Sequence, residues 1–401
     1  MFQIELIVLY AFALVLPMFE APKNLLWAIY ALLWIANRLR ARNFGGRWDA
    51  WDTLILAWIA SGYLAAAYAG LHNSEWLSAF DILRYASVLW MLKRSGYEAA
   101  VLNRLLLCLA AGTTAALLRG GYELWITKAH TNLGLNSVGH VNHSAIYVAI
   151  SFVAALAWLR ATWTTASPLA RMTAISVNAL FAFSLFIMAS RGAVGAAFFA
   201  GFAFLLVYAA RTGKNIKTVA ILAIVAIGVV YVARPEVVEK NEARLRENLF
   251  LAYRDGIWRA GAEAWRKYPV FGVGMGNYGR IDRPLLEGWS RERGAQLAPG
   301  SISLASHGHS LYVNTLAERG AVGVAVLLAV LAAWGGALAR RLPQPNASPV
   351  RWAYWGSAFG ALLVAVIVGL VNTTLHHEHA LISMLLLGGW LALRDADSAP
   401  R

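Results

Sequence analysis

The chain has 401 residues, of which 59% are hydrophobic and only 14% charged. Soluble domains carry about a quarter charged residues, so composition excludes a water-soluble fold and implies a multi-spanning membrane protein. A net charge of +14 raises nucleic acid as a partner, but the basic residues are scattered between apolar segments, where they serve as topology signals and attract anionic lipid. Seventeen tryptophans fit a membrane protein, since this residue is enriched at membrane interfaces. Cys108 is the single cysteine and sits in the apolar run LLLCLA, which excludes a disulfide framework and a cysteine-based zinc site.

A spanning helix needs about 20 mostly apolar residues. Twelve segments answer to this: 3–18, 24–38, 51–71, 77–92, 98–118, 144–160, 173–190, 193–210, 217–233, 310–340, 352–371 and 379–394. The first has no basic flank and no small-residue cleavage site, so it reads as a retained helix and not a signal peptide. The second and fourth are short. The tenth has room for an amphipathic stretch ahead of its span. The fold class predicted is all-α, with about twelve transmembrane helices and one large, partly helical insertion. Its parts are helices 1–9 over 1–233, the insertion over 234–308, and helices 10–12 over 309–401.

Lys and Arg in short loops set orientation. The loops after helices two, four, six, eight and ten contain RLRAR, KRSG, LRATW with LAR, ARTGKNIK and ARRLPQPNASPVR; those after one, three and eleven contain FEAPK, HNSEW and NTTLHHEH. The basic set faces the cytoplasm, and the insertion then lies outside. All nine histidines fall on the outer side: His72, His130, His140, His143, His307, His309, His376, His377 and His379. Exclusion of Lys and Arg from outer loops is a sufficient reason for His72 and His130. The clusters GHVNH, HGH and LHHEH instead abut helix ends, where side chains can enter a cavity at membrane depth.

Four motifs carry candidate chemistry. In MASRGAVG, Arg191 lies between two apolar segments with almost no loop. It is either a snorkelling interfacial arginine or an anion clamp, since guanidinium grips phosphate with two prongs. In AYRDGIWRAGAEAWRKYPVFGVGMGNYG, residues Arg254, Arg259, Arg266 and Lys267 make a basic helix outside the membrane, suited to anionic headgroups. Its glycine-rich end resembles a phosphate loop only weakly and reads as a tight turn returning the chain to the membrane. In SHGHSLYVNTLAERG, either His309 or Ser310 can cap the helix that follows, with Tyr312 along one side and Glu318 near the junction with the span. A histidine at this boundary titrates near neutrality and can act as a general base. Finally, HHEH with His307 and His309 offers metal-ligand types, but no zinc spacing is present and no metal is expected.

The segment HSLYVNTLAERG resembles the HNxYLxxLAExG signature of the O-antigen ligase and polymerase superfamily, with His309, Glu318 and Gly320 at the matching positions and Ser310 where asparagine is usual. SRGA at Arg191 is similar to that family's turn between two helices. The segment beginning at Arg254 resembles its R..iW…P..GvG pattern, and GHVNHSAIYVA resembles its G…nh…a segment. These motifs keep the family's order over roughly residues 130 to 325. The resemblance implies a GT-C-like, inverting glycosyltransferase of the Gram-negative inner membrane, without metal or cofactor. It also implies an undecaprenyl-diphosphate-linked glycan as donor, with the lipid A core as acceptor for ligases, another repeat unit for polymerases, or protein Ser/Thr for a third branch. The basic helix favours a phosphorylated lipid A core. The other partners expected are membrane lipids, with no nucleic acid and no obligate protein.

On this reading Arg191 and Arg254 hold the diphosphate and stabilise charge on the leaving oxygen, and His309 deprotonates the acceptor hydroxyl. A retaining enzyme would need a nucleophilic carboxylate, and no outer candidate stands out. His140, His143, Tyr312, Arg259, Arg266 and Glu318 are the expected substrate contacts, Glu318 also as a residue orienting His309. A solute transporter is the competing class. It would need a polar path through both faces, whereas the histidines lie on one face and only Arg84 and Arg104 stand isolated in mid-helix.

Overall fold

A computed structural model of the protein describes residues 2–73, 75–213, 254–298 and 300–396. The regular elements among the described residues are all helices. They are α1 (Phe2–Val15), α2 (Glu20–Ala41), α3 (Ala50–Ala67), α4 (Glu75–Lys93), α5 (Ala99–Trp125), α6 (Val141–Thr162), α7 (Pro168–Met188) and α8 (Arg191–Thr212). Then come α9 (Arg254–Lys267), a 3-10 turn (Tyr278–Arg280), α10 (Arg283–Glu292), α11 (Leu311–Arg340), α12 (Pro349–Gly369) and α13 (His377–Ala396). The ninth expected span, 217–233, and the first part of the insertion, 234–253, lie outside the described residues.

Seven of these helices, α3, α5, α6, α7, α8, α11 and α12, are long and apolar enough to cross a membrane, and α1 and residues 377–393 of α13 are shorter apolar helices. The protein is thus a polytopic helical membrane protein. The helices α2 and α4 carry charges that are paired inside the protein. At one end Lys23, 1% exposed, pairs with Glu20 at 2.5 Å and with Glu378. Beside it Arg84 bonds Asp81 at 2.8 Å and also bonds Asn24, so this arginine is not isolated as its sequence position suggests. At the opposite end Asp52 binds Arg94 at 2.7 Å and Lys93 at 3.2 Å. Pairing is what makes such charges tolerable away from water.

Small residues let the central helices approach closely. Gly360 of α12 faces Val153 of α6, and Gly356 faces Ala157 of α6 and Phe204 of α8. Trp34, Trp334 and Trp390 are wholly buried, so part of the tryptophan content fills the core and does not form an interfacial belt. The insertion is not a separate unit. Ile257, Ala264, Val273, Tyr278 and Trp289 form a small second core that includes Ala317 of α11.

The backbone of α11 breaks at Gly320, with φ 60° and ψ −159°. The segment 269–274 lies along this break and takes up the freed peptide groups. Val273 N–H donates to Ala317 O (2.9 Å), Gly274 N–H to Glu318 O (3.0 Å), Ala321 N–H to Pro269 O (2.8 Å) and Val322 N–H to Val270 O (3.2 Å). A side chain at Gly272, whose φ is +74°, would meet the Glu318 carbonyl carbon at 2.4 Å. Thus the glycine-rich run is more than a turn. It stitches the insertion into a broken spanning helix, in keeping with the rule that freed backbone at membrane depth must find new partners.

Candidate functional site

The N-terminal ends of α6, α11 and α13 meet, and seven of the nine histidines meet with them. The ring of His143 lies 6.1 Å from His140, 5.9 Å from His307, 6.4 Å from His376, 6.0 Å from His377 and 5.2 Å from His379, and His307 lies 4.1 Å from His309. His72 and His130 stand apart, beside Glu75 at 3.3 Å and Glu123 at 3.7 Å.

A polar cavity of about 400 Å³ opens beneath this cluster, lined among others by His143, His307, His376, Tyr85, Glu318 and Arg319. A larger groove of about 750 Å³ runs along α5, α6 and α7. None of its lining residues titrates, whereas histidines, Glu318 and Arg319 line the smaller space.

The loop before α11 is held from several sides. Ser310 is the helix cap, its Oγ accepting from Val313 N–H at 3.4 Å and donating to Gly369 O at 3.1 Å. Leu311 N–H donates to Asn372 O at 3.1 Å. Capping by Ser310 leaves the His309 ring without that duty. Below, Glu318 accepts from Tyr278 N–H at 3.2 Å and from Asn314 Nδ2 at 2.9 Å, and Asn314 Oδ1 accepts from Gly308 N–H at 2.8 Å. A chain of hydrogen bonds therefore runs from Glu318 through Asn314 to Gly308, the residue beside His309. His309 itself has φ 44°, a left-handed backbone that histidine enters more readily than most residues and that is held only where the surroundings over-determine it.

Electrostatics favour a neutral imidazole. Burial, then His307, then the Arg254 guanidinium and His140, push His309 down to about 4. Burial and His140 likewise lower His307. This corrects the expectation of a histidine poised near neutrality: above about pH 4 His309 is unprotonated and can accept a proton. Deeper in, His143 Nδ1 and His379 Nε2 are 3.0 Å apart, and His379 Nδ1 accepts from His376 N–H at 3.4 Å. A neutral His379 then donates from Nε2 to His143 Nδ1, which leaves His143 Nε2–H as a donor toward the cavity it lines.

The structure gathers some expected residues and disperses others. Arg254 opens α9 beside His309. Arg191 opens α8 at the same end, next to Gly192, which faces Val368 and Val371 just where Ser310 and Leu311 are anchored. His140 caps α6, its Nδ1 accepting from Asn142 N–H at 3.1 Å. The Tyr312 hydroxyl donates to Val366 O at 3.3 Å, toward α12. Arg259 and Arg266 point outward to acids, at 3.9 Å to Asp255 and 2.6 Å to Glu263; Arg293 also pairs with Glu263, and Lys267 with Glu292. The basic helix is therefore largely neutralised, and neither arginine lines the cavity. Among the described residues, no three His, Cys, Asp or Glu side chains are disposed to hold a metal ion. Sequence reasoning missed Arg319, Asn314 and Tyr85 as cavity residues, and left the histidines of α13 without a role. An arginine inside LAERG, flush with an apolar span, was the available signal for the first.

The fold and site define a polytopic helical membrane protein with polar chemistry concentrated at one end, where a neutral histidine adjoins arginine. Residues 176–328 match the family model described as O-antigen ligase, a stretch that holds Arg191, Arg254, His309 and Glu318, and this match supports the O-antigen ligase/polymerase superfamily. No curated protein matches the chain.

Proposed function

We propose that this protein is an O-antigen ligase of the inner membrane, moving a glycan from undecaprenyl diphosphate to the lipid A core on the periplasmic side. The twelve-span count and the GT-C-like arrangement belong to the same proposal. The observation that carries it is His309, neutral, locked by its loop and adjacent to Arg254. As general base His309 takes the proton of the acceptor hydroxyl as that oxygen attacks the anomeric carbon. The glycosidic bond to the diphosphate breaks on the opposite face, giving inversion. Arg254 and Arg191 balance the charge that develops on the departing diphosphate, so no general acid is required. The histidine-rich rim offers donors and acceptors to sugar hydroxyls.

Reconstitution tests this. Purified protein in lipid, given undecaprenyl-diphosphate-linked glycan and rough lipopolysaccharide, is expected to transfer glycan to lipopolysaccharide. Extension of the donor chain instead would make the protein a polymerase.

The pH profile follows from the lowered pKa of His309. Its base form persists as pH falls and is lost only on passing about 4, below the ordinary value of about 6.5. The acid limb of kcat/KM, which reports the free enzyme, is expected near pH 4. A limb centred near 6.5 and removed with His309 would contradict this environment.

A further inference from the structure

The function proposed above uses Arg191 and Arg254 and leaves one buried cation unused. Arg319 is 7% exposed and lines the cavity. Its Nη2 donates to Ser61 Oγ on α3, while its Nε is buried and meets no hydrogen-bond partner. Ser61 is neutral and in turn donates to Trp58 O at 2.7 Å. The carboxylates facing the cavity are committed elsewhere, Glu318 to Asn314 and Tyr278 N–H, Asp81 to Arg84. Among the described residues no carboxylate stands within 4.0 Å of the Arg319 guanidinium. Glu318 acts on this guanidinium only through space, and a buried guanidinium hydrogen-bonded to a single hydroxyl is costly, so an anion entering the cavity would offset that cost.

Depth identifies the anion. The residues from 321 to 340, below the break at Gly320, rise about 30 Å, the full hydrocarbon thickness. Arg319 therefore stands at the outer boundary, where the phosphates of membrane-anchored lipids lie. From Leu311 to Arg319 the helix rises roughly 12 Å, so His309 is at the upper end of the site and Arg319 at the lower. In an in-line displacement the base and the group holding the leaving oxygens sit at opposite ends of the reacting line, and this separation leaves room for acceptor oxygen, anomeric carbon and diphosphate between them.

We propose that Arg319 is a diphosphate-binding residue of this site, gripping the lipid-proximal phosphate of the polyprenyl diphosphate from below while Arg254 acts from the His309 side. The planar fork, with Nε open, suits two phosphate oxygens at once. This proposal rests on the glycosyl-transfer reading but names a residue that reading does not need.

The test is binding of undecaprenyl diphosphate, without glycan, to the full-length protein in nanodiscs. Ligand-induced stabilisation is read against each variant's own ligand-free midpoint. Arg319→Met and Arg319→Gln are compared with wild type. The first removes charge and hydrogen bonds, and the second keeps a donor for Ser61, so one folded variant suffices. We expect at least tenfold weaker binding in both, and partial recovery in Arg319→Lys, which restores charge without the fork. Equal binding by wild type and the Met or Gln variant would overturn the role of Arg319 and leave the glycosyl-transfer reading intact. Unchanged binding of undecaprenyl diphosphate with a raised KM for glycan-bearing donor would also overturn it, since Arg319 would then read the sugar. Failure of wild type itself to bind would instead count against the donor assigned above.

Discussion

Replacing His309 by alanine is expected to lower kcat for glycan transfer by roughly 10²–10⁴-fold, the range for loss of a positioned general base, with little change in the donor KM. The reason is where the interaction is made. The imidazole gains its proton only as the acceptor oxygen attacks, so its loss removes transition-state stabilisation more than ground-state binding. The neighbouring histidines are poor substitutes. His140 spends Nδ1 on the cap of α6, and His143 spends Nδ1 on His379. His307 packs against His309 and bonds Ser306 at 3.1 Å, so His307→Ala should cost less. Steady-state transfer assays on the reconstituted variants decide this. Turnover of His309→Ala within threefold of wild type would remove the general-base assignment, and with it the asymmetry between two histidines only two residues apart.

Much of the fold was legible because burial in lipid writes itself into composition. Eleven of the twelve expected spans coincide with helices that differ mainly at their ends, the twelfth lying outside the described residues, and the ends differ for local reasons. Thus 98–118 extends to Trp125 because Arg119 and Glu123 pair across one turn at 2.8 Å, so polar residues continue a helix that hydropathy alone would stop. The one-sided histidines could be read from loop charges, since these fix which helix ends share a face. Their convergence could not, because it depends on α6, α11 and α13 being neighbours at that end, and no local pattern encodes neighbours. Arg259 and Arg266 misled for the same reason. Their own acids, Asp255 and Glu263, lie on the same helix, but the packing of α9 on α10 that brings Glu292 to Lys267 and Arg293 to Glu263 is not written in any local pattern. Arg319 reads as a boundary arginine until α3 and α4 close the cavity around it.

The break in α11 is the least legible feature, and its glycine should be among the least replaceable residues. Gly320→Ala is expected to abolish transfer and to lower thermal stability sharply. Its backbone, φ 60° and ψ −159°, lies where side-chain-bearing residues pay about 1–3 kcal/mol. A β-carbon there would sit 2.3 Å from the Val270 carbonyl oxygen, on the very segment that bonds to both sides of the break. That segment cannot retreat without giving up the bonds to Ala317, Glu318, Ala321 and Val322. Relaxation would therefore move Glu318, and through Asn314 the loop that holds His309. Gly335 on the same helix supplies the comparison. Its nearest neighbour to an added β-carbon is Leu362 at 3.6 Å, an ordinary contact, and alanine there should stabilise the helix by about 1 kcal/mol. Thermal unfolding and transfer assays on the two variants separate a general dislike of substitution in α11 from a specific need at residue 320. If Gly320→Ala and Gly335→Ala both match wild type, α11 runs unbroken through this point, and neither the stitched segment nor the placement of Arg319 and Glu318 beside the cavity can stand.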